Sequence, residues 1–134
     1  MSKSDVDHLS SILLTDGADT VRAKLRKAVT DPNPRISYDV NARPGVSNLI
    51  DIAAAFSGLS VEQVCEASQH FDTLAFKNFV SDVVIERLKP IGSEITRLLN
   101  DASYLSHVIS AGNERARSIA DQTYADVCKH VGFQ

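Results

Sequence analysis

From Ser47 to the end of the chain, apolar residues recur at spacings of three and four with few interruptions. So long a run in helical register commits most of the molecule to packed helices. Ser47 stands as a cap before Leu49, Ile52, Ala53 and Phe56, and Gly58 closes that helix. Ser60-Val61-Glu62-Gln63 has the form of a capping box and opens a short helix carrying Val64. A long helix is expected from about Thr73, with Phe76, Phe79, Val80, Val83 and Val84 inward. Pro90 and Gly92 predict a kink in it before Ile95, Leu98 and Leu99. The last helix starts at about Ala102 with the stripe Leu105, Val108, Ile109, Gly112, Ala116, Ile119, Ala120, Thr123 and Val127, whose small members would let a neighbouring helix approach closely.

The residues before Ser47 are less uniform. Ile12-Leu13-Leu14, closed by Thr15-Asp16-Gly17, reads as a brief buried strand or extended piece, the edge of something larger. Asp16 is placed to cap a following helix whose apolar face is Val21, Leu25, Ala28 and Val29, with Arg22, Lys24, Arg26 and Lys27 on the rest of its circumference. Asp31-Pro32-Asn33-Pro34 must end that helix, because each proline lacks a donor and turns its predecessor away from the α region. The residues through Arg43-Pro44-Gly45 then read as loop, with a short extended piece at 35–38. The expected fold class is mainly α: a short α/β fragment leading through a proline-rich loop into a bundle of about four helices.

Composition narrows the function classes. The 134 residues are 43% apolar and 23% charged, the balance of a folded globular domain. The most apolar run, 49–59, is broken by Asp51, Ser57 and Gly58 and falls short of the roughly 18 residues of a membrane span. The opening residues are polar, so no secretory signal is expected. A net charge of −3 is no general nucleic-acid footprint, and any such contact must be local. Cys65 and Cys128 are isolated and read as reduced core thiols, which suits a cytosolic or matrix compartment. His8, His70, His107 and His130 show no metal-ligand spacing, so no metal site is expected; Asp5 and Asp7 are read as capping or bracing residues.

Met1-Ser2-Lys3-Ser4-Asp5 resembles the Lys-Met-Ser-Lys-Ser signature of class I aminoacyl-tRNA synthetases, without its first lysine. Ala28-Val29-Thr30-Asp31 and Pro44-Gly45-Val46-Ser47-Asn48-Leu49 follow in the order typical of the tryptophanyl branch. Pro90 in its Leu-Lys-Pro-Ile segment, Gly112 with Arg115-Ala116-Arg117, and the closing Val131-Gly132-Phe133 agree as well. The chain therefore resembles the C-terminal half of a tryptophanyl-tRNA synthetase of bacterial or mitochondrial type.

That resemblance implies three parts: 1–31 as the signature loop and last helix of a Rossmann-like catalytic domain, 32–47 as a proline-rich connection, and 48–134 as a helical anticodon-binding domain. It implies a tryptophan–tRNA ligase that uses ATP with Mg, bound mainly by an upstream domain, to activate tryptophan for tRNA(Trp). Lys3 would be the catalytic residue, with Met1, Ser2, Lys3 and Ser4 binding ATP. Arg22, Arg26, Lys27, Arg115 and Arg117 are candidate tRNA contacts, though charges spread around a helix are more often a solvated face. The implied assembly is a homodimer with no membrane association, in the mitochondrial matrix or, alternatively, the bacterial cytoplasm. Without the upstream half, the chain alone is expected to be inactive. The competing reading is a stand-alone helical module that binds a partner or tRNA without catalysis.

Overall fold

The computed structural model describes residues 9–133. Five helices form: α1 (Ala18–Lys27), α2 (Pro44–Ser57), α3 (Val61–Ala67), α4 (Thr73–Leu99) and α5 (Ala102–Val131). No strand occurs among the described residues, so the expected mainly α class holds. The chain divides into two compact units, one of residues up to Glu94 and one from Ile95 onward.

In the first unit, Val21 and Leu25 of α1, Ile36 of the loop, Val46, Leu49, Ile50 and Ala53 of α2, Val64 of α3, and Phe76, Val80, Val84 and Leu88 of α4 share one core cluster. Phe79 borders it, with ring centroids 5.8 Å from Phe71 and 6.3 Å from Phe76. The spacing rules therefore find the inward faces of α2, α3 and α4, whereas Val29, expected on the apolar face of α1, lies beyond that helix and is 87% exposed.

Several ends and one segment differ from the sequence expectation. The Ile12-Leu13-Leu14 piece is not a strand: Leu13 and Leu14 are exposed, and the chain turns back so that the Asp16 N–H donates to the Leu13 carbonyl at 3.0 Å. No neighbouring strand exists among the described residues to pair with it. Gly17, not Asp16, is the N-cap of α1, and the Asp16 carboxylate is used elsewhere. α2 starts at Pro44 rather than after Ser47, because proline at the first helical position brings a φ already suited to the helix and loses no bond there. Ser47 is consequently inside α2, buried, with its hydroxyl accepting from the Asp39 N–H at 2.9 Å. The capping box is present in full: Ser60 Oγ accepts from Gln63 N–H at 3.3 Å while Gln63 Oε1 accepts from Ser60 N–H at 2.9 Å. α4 begins at Thr73 as expected and carries Pro90 within its span.

The second unit consists of the end of α4 and α5. Asp101 caps α5 by accepting from the Tyr104 N–H, and Gly132 closes it in the left-handed region at φ 78°. α5 has no buried residue, so its predicted stripe is not a core face; Ile119 is 68% exposed and Tyr124 71%. A 30-residue helix has more apolar face than the short remainder of α4 in its unit could cover.

Candidate functional site

Two charged side chains that the periodicity places on helix surfaces or in loop are buried, and they organise the chain on either side of α1. The first is Lys24. It lies three residues after Val21 and one before Leu25, which puts it on the apolar face of α1, and its Nζ meets Asp16 Oδ2 at 2.5 Å. The side chains are only 7% and 11% exposed. The same carboxylate oxygen accepts from the Leu13 N–H at 2.9 Å. Burial pushes the Asp16 carboxyl up, but the hydrogen bonds from Lys24 and from the Leu13 amide outweigh it and hold the group below its ordinary value. An open groove of about 430 Å³ runs beside this pair, lined by residues 9–12, by Lys24, Lys27 and Val29, and by Asn48 and Ile52 of α2.

The second is Arg43, the N-cap of α2. Its guanidinium grips Asp31 with Nε and Nη2 on the two carboxylate oxygens, both at 2.9 Å. It also donates to the carbonyls of Asn33 and Arg35 and to Ser37 Oγ. One side chain thus ties the two ends of the proline-rich loop and its middle together, the bidentate use for which arginine is suited and lysine is not. The Arg43 guanidinium holds the Asp31 carboxyl below its usual value.

Of the predicted site residues, Met1, Ser2, Lys3 and Ser4 lie outside the described residues, as does His8. Arg22 is exposed and ion-paired to Asp82 of α4 at 2.7 Å. Arg26 and Lys27 are exposed at the end of α1, and the Arg26 carbonyl accepts from Lys77 at 3.3 Å. Arg115 and Arg117 are exposed on α5. The structure therefore brings the α1 set onto one short helix, and describes the α5 set on its own unit. Among the described residues no cluster of His, Cys, Asp or Glu could hold a metal ion. Cys65 is half-buried, and burial pushes its thiol up, away from the reactive thiolate.

Sequence reasoning missed both buried cations. Lys24 had a legible signal in its place between Val21 and Leu25. Arg43 did not, since its partners are brought together only by the folded loop.

A helical chain with this loop-and-cap arrangement, opening on Met1-Ser2-Lys3-Ser4, belongs to the family tRNA synthetases class I (W and Y), whose model matches residues 1–89. The branch is indicated by individual relatives. The chain is 42% identical to the mitochondrial tryptophan–tRNA ligase of Saccharomyces cerevisiae over 99% of its own length and 36% of that protein. It is 38% identical to the tryptophan–tRNA ligase of Rickettsia prowazekii, over 99% of its length and 40% of that protein. A solved tryptophanyl-tRNA synthetase from Mycoplasma pneumoniae shares the fold at a TM-score of 0.70 and 24% identity, covering 100% of this chain and 41% of that one. The resemblance to tryptophanyl-tRNA synthetases is thus borne out, and the chain spans 36–40% of the length of these curated relatives.

Proposed function

We propose that this chain is the C-terminal part of a tryptophan–tRNA ligase, completed by an upstream nucleotide-binding half that supplies most of the ATP and tryptophan contacts. The observation that carries the reading is similarity to tryptophan–tRNA ligases along 99% of the chain, with the family model matching residues 1–89. In this division, 1–31 is the signature loop and last helix of the catalytic domain, 32–47 the connection, and 48–134 the helical domain that meets the anticodon of tRNA(Trp).

The first reaction step is attack of the tryptophan carboxylate on the α-phosphate of ATP, giving tryptophanyl-adenylate and pyrophosphate. Negative charge gathers on the departing pyrophosphate, so groups that meet it only as it develops lower the barrier. The Lys3 ammonium, a compact point charge on a long stem, suits that role; Ser2 and Ser4 offer donors to phosphate, and Met1 is assigned to the adenine. MgATP enters as substrate, and neither a general base nor a covalent nucleophile is required. Acyl transfer to the terminal adenosine of tRNA follows, while Arg22, Arg26, Lys27, Arg115 and Arg117 are assigned to tRNA phosphates.

The full-length assembly is read as a homodimer formed mainly through the nucleotide-binding half. A mitochondrial matrix location is favoured by the identity to the yeast mitochondrial enzyme, with a bacterial cytoplasm as the alternative that the Rickettsia relative supports. No helix among the described residues is long and apolar enough to cross a membrane.

The pure chain is expected to show no tryptophan-dependent ATP–pyrophosphate exchange. In the full-length enzyme, Lys3→Ala should slow adenylate formation by about 30- to 1,000-fold, the equivalent of roughly 2–4 kcal/mol, with little change in tryptophan affinity. An unchanged activation rate would remove Lys3 from this role. Retained tRNA binding with no activation in the completed enzyme would instead favour a tRNA-binding module without catalysis.

A further inference from the structure

We infer that Lys24 is a positioning residue for adenylate formation, acting through Asp16 to fix the segment that trails the signature loop; the inference rests on the proposed pyrophosphate-binding role of that loop. Residues 9–17 connect the signature to α1 and contain no helix or strand. What holds them is specific. The Asp16 carboxylate closes a turn by accepting from the Leu13 N–H at 2.9 Å, and the Asp16 N–H returns to the Leu13 carbonyl at 3.0 Å. Lys24 then pins that turn to α1 through a pair whose side chains are 7% and 11% exposed. On the other side, the Leu14 carbonyl oxygen lies so near α4 that a Cβ at Gly92 would stand 3.0 Å from it. The turn is held between α1 and α4 by one buried charge contact and one close backbone approach.

Burying an ammonium is costly, and a methionine of similar length would fill the space on the apolar face of α1. A lysine there serves the turn rather than the core. Lys3 precedes Leu13 by ten positions in the sequence, so in the proposed role this turn is an anchor on the C-terminal side of a group that must meet the pyrophosphate oxygens in register. A displacement of about 1 Å at such a group costs up to about a hundredfold in rate.

The test measures ATP–pyrophosphate exchange in the full-length enzyme with Lys24→Met, Lys24→Arg, Asp16→Asn and Lys3→Ala, each first checked for native helicity by circular dichroism. Lys24→Met is expected to lower kcat about tenfold or more with the KM for tryptophan unchanged, and Lys24→Arg to restore most of it. A merely structural role would lower thermal stability and leave kcat of the folded enzyme where it was. Folded Lys24→Met with kcat within about twofold of wild type overturns the inference. If Lys24→Met does not fold, Asp16→Asn decides by the same criteria, since it removes the charge and keeps an acceptor for the Leu13 amide. Lys3→Ala separates the two claims. Slow Lys3→Ala with normal Lys24→Met refutes the positioning role alone, whereas normal Lys3→Ala refutes the loop reading and this inference with it.

Discussion

Ser68 is fully buried at the end of α3, and its Oγ has no hydrogen-bond partner among the described residues. A hydroxyl taken from water without compensation costs stability, so Ser68→Ala should leave the fold intact and raise stability by up to about 1 kcal/mol, read as a shift in the urea midpoint. Asp31 gives a prediction of opposite sign. Its carboxyl is held below its unfolded value by Arg43, so the stability it contributes is complete above that value and is lost as pH falls through the lowered one. Amide exchange across 31–43 should therefore accelerate below about pH 4 while the α2–α4 core stays protected, and Arg43→Met should abolish that pH dependence by opening the loop at every pH. At this scale the sequence was legible for the apolar residues of α2 to α4 and for the Ser60–Gln63 box, where a local spacing decides the role, and misleading for Asp16 and Ser47, which look like caps and are not. It was not legible for Arg43, whose five donors are used by groups that only the folded loop assembles.

The elements were legible in number and kind because their apolar faces repeat over many residues, and less so at their ends, where one side chain decides. Ser47 had the look of a cap, yet Pro44 already satisfies the first position of α2 and leaves Ser47 inside. The approach of α2 to the chain after α1 also depends on one residue. A Cβ at Gly45 would lie 2.2 Å from the Val29 carbonyl oxygen, a backbone atom that cannot swing away. Gly45→Ala should destabilise the protein by about 1–3 kcal/mol, through displacement of the α2 start, measured by denaturant unfolding. α1 is tied to α4 by Lys77, which donates to the Ala28 carbonyl at 2.7 Å and to that of Arg26 at 3.3 Å. These are orphan acceptors at a helix C-terminus, where a cation is favoured. Lys77→Met should cost about 1 kcal/mol, with faster amide exchange in the last turn of α1 as its signature.

For the whole molecule, one register of similarity unites parts that differ in how their roles can be read. The α1–α4 core explains why the described residues up to Glu94 hold together, and the buried pairs Lys24–Asp16 and Arg43–Asp31 lie at the loops that flank α1. In the proposed division the chemistry falls to the signature residues, which lie outside the described residues and are assigned by the likeness of their order to a family signature. The anticodon contacts were not legible, because recognition of single-stranded bases rests on stacking and edge hydrogen bonds that leave no fixed spacing in a sequence. Under the proposed function, residues 1–134 can stand in for the C-terminal part of a tryptophan-activating enzyme. The most direct test replaces the matching segment of the yeast mitochondrial tryptophan–tRNA ligase with residues 1–134 and measures tryptophan-dependent ATP–pyrophosphate exchange by the purified chimera. Exchange that is restored by the graft and lost with Lys3→Ala is the predicted result. A folded chimera that binds ATP and tryptophan but catalyses no exchange would contradict it.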